Sequence, residues 1–436
     1  MQSNARPLHE LCSLIVDCPH STPVWTDAGY LVIRNQNIKG GRLDLSSPSF
    51  TDAFHFAHRI RRAKPREGDI IFTREAPMGE VCMIPRGLEC CVGQRQVLLR
   101  PNPTMVDGRY LLYALQSPQV QHEIGWNEGT GSTVSNVRIP VLEALRIPTP
   151  PVRVQRGIGE LLGVLDDRID LLRQTNATLE SIAQTLFKSW FIDFDPVRAK
   201  AEGREPEGMD ADTAALFPDS FEDSALGEIP MGWKVIPFSE TVNILGGGTP
   251  KTSVSEYWGG EIPWFSVVDA PSPGQVFTIS TEKNVSALGV ENSSTRILPS
   301  WTTIISARGT VGKLAMTGSP MAMNQSCYGL TPKLQGAEVS VYLAAQRLVD
   351  DLKRLAHGGV FDTITRDTLA TVHVCVPDDR VRLALESSVR PLFARILANV
   401  TQMETLRGVR NSLLPRLISG KIRLSVASEQ AEEVTV

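Results

Sequence analysis

The segment LDDRIDLLRQTNATLESIAQTL, running from Leu165 to Leu186, decides how this chain is to be read. Leu165, Ile169, Leu172, Asn176, Leu179, Ala183 and Leu186 step by 4, 3, 4, 3, 4 and 3, the narrow a/d stripe of a helix that pairs with another helix. A single helix of this kind packs more often on its own domain. A second copy changes that reading: Leu392, Ile396, Asn399, Met403, Leu406, Arg410 and Leu413 repeat the same steps at a constant offset of 227 residues. Two narrow stripes bury most simply against each other, antiparallel. Each stripe also carries one amide, Asn176 or Asn399, a residue that costs stability at such a position but fixes register. A helix from Gln155 to Trp190 spans roughly 54 Å at the usual rise, enough to hold two domains apart. Gly157, Gly159 and Gly163 are expected to weaken its first turns. Pro391 is expected to kink the other helix, so that it begins in earnest near Leu392.

The repeat extends outward from the helices. Thr22-Pro23 and Thr249-Pro250 lie 227 residues apart, each beside an apolar segment. Ile70-Ile71-Phe72-Thr73 with Met78-Gly79 reappears as Thr303-Ile304-Ile305-Ser306 with Val311-Gly312. Gly93-Gln94-Arg95 matches Asn324-Gln325-Ser326, and helix-like stretches then open at Tyr110-Leu111 and Tyr342-Leu343. A Gly-rich polar loop follows each, Gly129 to Ser135 and Gly358 to Thr365, before short apolar strands that end at Pro148 and Pro377. The fold class is α+β, a mixed α/β module used twice in a pseudo-two-fold internal repeat and separated by two long antiparallel coiled-coil helices. The boundaries on this reading are a first module at 1–150, a central spacer helix at 151–192, an acidic Pro/Gly-containing linker at 193–232, a second module at 233–377, a C-terminal spacer helix at 378–420 and a tail at 421–436.

At 436 residues the chain is long enough for such an arrangement, and its 42% hydrophobic and 21% charged composition is that of a globular protein. The formal charge of −4 argues at first against a nucleic-acid partner. Eleven acids against three bases between Asp193 and Glu228 give that segment −8, which leaves the remainder at +4. The first module contains Arg59, Arg61, Arg62, Lys64 and Arg66 within eight positions, a cluster suited to phosphates or, equally, to a solvated loop. No apolar run reaches membrane-span length and no secretory leader is evident, so a cytoplasmic location is the expectation.

Residues that would make a self-contained active site are missing. The Gly246-to-Thr252 run lacks the Gly-Lys-Ser/Thr ending of a phosphate loop, and there is no Gly-x-Ser-x-Gly, His-Glu-x-x-His or strand-to-helix Gly-x-Gly-x-x-Gly. Pro150-Pro151 is followed by Val152, unlike the Pro-Pro-aromatic motif of amino-methyltransferases. Seven cysteines, an odd number, argue against a disulfide framework, and Cys12, Cys18 and His20 lack the paired spacing of a zinc site. No catalytic residue, metal or bound cofactor is expected. Short polar side chains on supported loops could instead read base edges. The candidates are Gln94, Arg95, Thr130, Ser132, Thr133 and Asn136 in the first module, and Arg308, Asn324, Gln325, Ser326, Thr363, Thr365 and Arg366 in the second, with Arg59, Arg61, Arg62 and Lys64 as phosphate contacts. Each alone is more often a turn or cap residue. A duplicated scaffold or carbohydrate-binding protein, or a standalone nuclease, are the competing classes.

Three strings point to a family. Leu186 to Lys200 (LFKSWFIDFDPVRAK), Leu226 to Trp233 (LGEIPMGW) and Asn411 to Ile422 (NSLLPRLISGKI) resemble the central region, the entrance to the second module and the C-terminal ending of the specificity subunits of type I restriction–modification enzymes. The resemblance covers roughly residues 6 to 424. It implies a non-catalytic DNA-binding subunit whose two target recognition domains each read half of a split asymmetric sequence, with the helices as a ruler. It further implies double-stranded DNA and two modification subunits as partners, restriction subunits as possible additions, and S-adenosylmethionine, ATP and Mg on those partners. Recognition residues vary within the family, so the resemblance assigns no base contact.

Overall fold

Both heptad stripes lie on continuous helices of 40 residues, Val152–Phe191 and Asp379–Ile418, in a computed structural model that describes residues 5–126, 136–272, 274–355 and 363–435. Contacts divide the chain into two units, Met1–Ile169 with Glu404–Val436 and Asp170–Met403, so each long helix contributes to both. In the first unit Arg410 of the second helix reaches Asp166 of the first at 2.6 Å. In the second unit Asn399 donates to Asn176 at 2.7 Å. Numbers fall along one helix as they rise along the other, so the pair is antiparallel.

Leu165, Ile169, Leu172 and Asn176 are buried on the first helix, and Ile396, Asn399, Met403 and Leu406 on the second. Leu179, Leu186 and Leu392 are only half-buried. Phe393 takes the inward place expected of Leu392, because the buried positions Val381, Leu385, Val389 and Phe393 step by four before the heptad begins at Ile396. The expected late start is also corrected: the helix runs unbroken through Pro391 from Asp379. Pro391 and Ser387 are both exposed, so the carbonyl that the proline leaves without a helical donor can turn to water.

The glycines of the first helix serve close packing. A Cβ on Gly159 would stand 2.8 Å from Asp107 Oδ1 and 3.1 Å from the Tyr110 nitrogen, one on Gly163 would overlap the Arg109 guanidinium, and one on Gly157 would overlap Leu424. The helix Gly108–Gln116, capped by Asp107, and the tail helix Leu424–Thr435 therefore lie against a helix face stripped of side chains.

The repeat predicted from the sequence exists at the level of strand order. In the first unit Cys12–Asp17, Gln96–Pro101, Ile70–Thr73 and Val81–Met83 form an antiparallel sheet in that order. In the second, Val242–Gly246, Cys327–Pro332, Thr303–Ser306 and Leu314–Thr317 do the same, with Phe277–Thr278 added at the edge. Each unit also pairs two strands in parallel outside this sheet, Tyr30–Ile33 with Cys90–Val92 and Trp258–Phe265 with Ala322–Met323, and the added edge strand Phe277–Thr278 runs parallel to Leu314–Thr317. Strands from the two ends of each module close it: Ala5–Pro7 pairs with Arg146–Pro148, and Lys234–Pro237 with His373–Val376. The cores are apolar, with Ile71, Cys82 and Leu98 fully buried in one and Ile305, Leu330 and Leu369 in the other.

The acidic segment expected as a linker or loop is instead folded. Helices Asp195–Ala201 and Ala211–Ala215 precede a hairpin of Phe221–Ser224 and Gly227–Pro230. Its charges face outward while its aromatics pack edge to face: Trp190 on Phe217 at 5.2 Å, Phe191 on Trp233 at 5.9 Å and Phe194 on Trp233 at 5.6 Å. Lys200 turns inward and donates to the carbonyls of Ala214 and Phe217. Composition reads the Pro, Gly and acid content as a linker, but three rings within it, Phe194, Phe217 and Phe221, join Trp190, Phe191 and Trp233 at its borders in a small core.

Candidate nucleic-acid interface

In both modules a tight turn links the parallel strand to the next strand of the main sheet. In the first module this is Gly93 to Gln96. A Cβ on Gly93 would meet the Ile33 carbonyl oxygen at 2.5 Å, so the close approach requires glycine. Gln94 donates from Nε2 to the His20 carbonyl at 2.6 Å and to Thr22 Oγ1 at 2.9 Å. Arg95, at φ 65°, projects into solvent and pairs with Glu75 at 3.3 Å. In the second module the turn is Asn324 to Ser326, where Asn324 Oδ1 accepts from the Ser326 nitrogen at 3.0 Å and Gln325 accepts from the Thr249 hydroxyl. The Thr-Pro pair found twice in the sequence thus meets the glutamine of the equivalent turn twice.

The support beneath each turn is also duplicated. Thr73 bonds with the Glu80 carbonyl, the Gly79 nitrogen and, through Oγ1, the Glu80 nitrogen, all at 2.9 Å. Ser306 makes the same three bonds with Lys313 and Gly312 at 2.8 to 2.9 Å. Two residues further on, Glu75 bridges Asn136, and Arg308 bridges Thr363. The structure therefore brings Gln94, Arg95 and Asn136 to one region of the first module, and Gln325, Ser326, Arg308 and Thr363 to one region of the second. Thr365 is occupied as the cap of Arg366–Thr371, and Arg366 donates to the Ile244 carbonyl at 3.0 Å. Thr130, Ser132 and Thr133 lie outside the described residues.

The basic cluster divides. Arg61 and Arg62 are exposed, and Lys64 pairs with Glu89 at 2.6 Å. Arg59 is corrected from a phosphate contact to an internal strut. It is 5% exposed, and its donors go to the carbonyls of Val92 at 2.9 Å, Ser21 at 2.7 Å and Pro19 at 3.2 Å. Burial lowers the pKa of this guanidinium below its ordinary value. The Pro19-to-Ser21 loop that it fastens supplies the His20 carbonyl to Gln94, so Arg59 supports the turn from behind. Five basic residues in eight positions cannot show which one faces inward, because the apolar spacing of a seven-residue helix is too short to set a face.

Arg34 lies over the ring of Trp25 at 4.9 Å, and Trp25 is 44% exposed on the edge strand Trp25–Thr26, just beyond Thr22. The Thr-Pro signal that places the loop gives no hint of this pair, whose members are nine residues apart. A cavity of about 330 Å3 in the second unit, lined by Phe187, Phe191, Phe238, Leu348 and Val374 together with Glu228, Arg347, Asp351 and Arg382, includes none of the residues of these polar turns. Among the described residues no group of three or more His, Cys, Asp or Glu side chains is arranged to hold a metal, and no helix is long and apolar enough to cross a membrane. All seven cysteines are free thiols.

Comparison with known proteins agrees with this geometry. The family model for the type I restriction modification DNA specificity domain matches twice, at residues 35–181 and 230–380. The HindI specificity subunit of Haemophilus influenzae is 28% identical over 401 residues, covering 82% of this chain and 87% of that protein. The MjaIX specificity subunit of Methanocaldococcus jannaschii is 23% identical over 362 residues, covering 82% and 78%. The crystal structure of a type I restriction–modification S subunit from M. genitalium shares the fold, with a TM-score of 0.55 at 17% identity over 95% of both chains.

Proposed function

The chain belongs to the type I restriction–modification DNA specificity family, and from that premise we propose how its two modules read DNA. It is a sequence-specific DNA-binding specificity subunit. Each module presents its polar turn to one half of a bipartite site, and the observation that carries this reading is the duplicated Thr–Gln turn on a duplicated support. Gln94 with Arg95 and Gln325 with Arg308 supply the donors and acceptors that distinguish base pairs in the major groove, where Gln suits adenine and Arg suits guanine. Arg61 and Arg62 supply phosphate contacts. The variable side chains of the two turns differ, so the half-sites differ.

Each long helix contributes to both units, and on this reading the helix pair sets the gap between half-sites. One DNA turn is about 34 Å, and a helix of this length serves as a ruler on that scale. The chain has no catalytic role of its own on this reading. Two modification subunits dock on it and supply S-adenosylmethionine chemistry at adenine, and restriction subunits with ATP and Mg complete a cleaving assembly in the cytoplasm. The family match and the relatives above favour this reading over the scaffold and carbohydrate-binding alternatives. The test is a DNA-binding assay on the chain assembled with its modification subunits. Binding specific for one bipartite sequence supports the reading, and equal affinity for all sequences of the same length opposes it.

A further inference from the structure

Asp166, on the first long helix, joins three elements of the first unit. Its Oδ1 accepts from Arg410 of the second long helix at 2.6 Å and from Arg42 at 3.1 Å, and its backbone carbonyl accepts from Arg42 at 2.9 Å. Its Oδ2 accepts from the Tyr113 hydroxyl at 2.7 Å. Tyr113 lies on Gly108–Gln116, the module helix that packs on the glycine face of the long helix, and Arg42 lies in the hairpin of Ile38–Lys39 and Arg42–Leu43. The Asp166, Arg42 and Arg410 side chains are all less than one-fifth exposed, so these bonds are largely shielded from water. Burial first, and the Asp166 carboxylate second, raise Tyr113 well above its ordinary pKa and keep its hydroxyl a donor.

We propose that Asp166 is a positioning residue for DNA recognition, a clamp that locks the first module onto both spacer helices and thereby sharpens the gap the protein accepts between half-sites. Two charge-assisted bonds and a buried hydroxyl bond on one carboxylate resist rotation about the helix axis, which apolar packing against a glycine face does not. The second unit contains a comparable joint. Glu386 of the second long helix, 3% exposed, accepts from the Val339 nitrogen at 3.0 Å and from both the nitrogen and hydroxyl of Ser340 at 2.9 Å, at the start of the module helix Glu338–Leu355. An acid from a long helix thus holds the docking helix in each unit. The side chain of Asp166 touches no base on this account; it acts through the module it holds.

The inference rests on the DNA-reading function above. Its test uses the full chain assembled with its modification subunits, on DNA carrying the two half-sites at the native gap and at gaps one base pair shorter and longer. Wild type methylates the native gap alone. Asp166→Asn keeps the half-site sequences, but the ratio of native-gap to altered-gap methylation falls by about tenfold or more, the effect of losing one charge-assisted bond. Tyr113→Phe moves the ratio in the same direction by less and leaves the ion pairs that keep the unit folded. Asp166→Glu restores part of it. Glu160→Gln, at an exposed position of the same helix, behaves as wild type. A gap preference as sharp as wild type in both Asp166→Asn and Tyr113→Phe overturns the clamp while leaving the DNA-reading function intact. A wild-type complex with no bipartite preference overturns both.

Discussion

Asn399 donates from Nδ2 to Asn176 Oδ1 at 2.7 Å, amide to amide across the antiparallel pair, with both residues at most 1% exposed. The two asparagines that interrupt the apolar stripes are partners. One donor is left over, since Asn176 Nδ2 is buried without a hydrogen-bond partner. Replacing one amide strands the other, whereas replacing both removes the polar burden. Asn176→Leu is expected to destabilise the chain by about 1–3 kcal/mol, and the double Asn176→Leu, Asn399→Leu variant to recover most or all of it. Urea midpoints of the wild type and the two variants check this. A double variant worse than the single one would mean that the amides add net stability.

The glycines of the first helix separate helix propensity from packing. At Gly163 the new methyl meets the mobile end of Arg109, so the propensity gain of about 1 kcal/mol should prevail and Gly163→Ala should be neutral or stabilising. At Gly159 the methyl meets the capped start of the docking helix, including the Tyr110 backbone nitrogen at 3.1 Å. Gly159→Ala is expected to cost about 1–3 kcal/mol by overpacking. Thermal midpoints moving in opposite directions are the outcome to look for.

The basic cluster should split the same way in binding. Arg61→Ala and Arg62→Ala leave the fold intact, weaken DNA binding evenly across sequences, and each lower the salt slope by about one. Arg59→Ala removes a buried guanidinium that holds three carbonyls and is expected to lower stability by about 3 kcal/mol before any binding is measured. Titrations across salt, with melting curves, distinguish the two classes.

Burial pushes the thiols of Cys12, Cys90 and Cys327 up to about 12 and those of Cys91 and Cys375 up to about 11. In the unfolded chain a thiol ionises near about 8.5. Folding therefore holds protons that the unfolded chain releases, so this contribution is complete below about pH 8.5 and is lost as pH rises toward 11 or 12. Urea midpoints should be flat from pH 7 to 8 and fall above pH 9. Alkylation at pH 8 should be slow until the chain is unfolded.

The heptads and the duplicated module were legible because each rests on a spacing that survives divergence: seven within the paired helices, 227 between the helices and between the Thr-Pro turns, and 233 between the matched strands. What was not legible depended on partners distant in sequence. The glycines read as a weakness until Arg109 and Leu424 are placed against them. The acidic segment read as a linker because its charges outnumber its rings, although the rings decide its fold. Arg59 and Arg61 are indistinguishable as letters, and only the loop at Pro19 to Ser21 makes the first a strut. The Asp166 clamp is assembled from residues 42, 113, 166 and 410, which no local pattern connects.

If the helices set the gap, their length is a separate variable from the turns that read bases. Inserting four residues between Leu172 and Leu179, with the matching insertion between Leu392 and Leu406, is expected to lengthen the gap and leave both half-sites unchanged. An unaltered gap in the methylated motif would count against the ruler.

The central claim, that this chain directs methylation to a split asymmetric sequence, is tested most directly by single-molecule sequencing of methylated bases in cells with and without its gene. One bipartite motif, with two different half-sites separated by a fixed gap and bearing methylated adenine, should be present with the gene and absent without it. An adenine-methylation pattern unchanged by its loss, or a continuous palindromic motif, would contradict it.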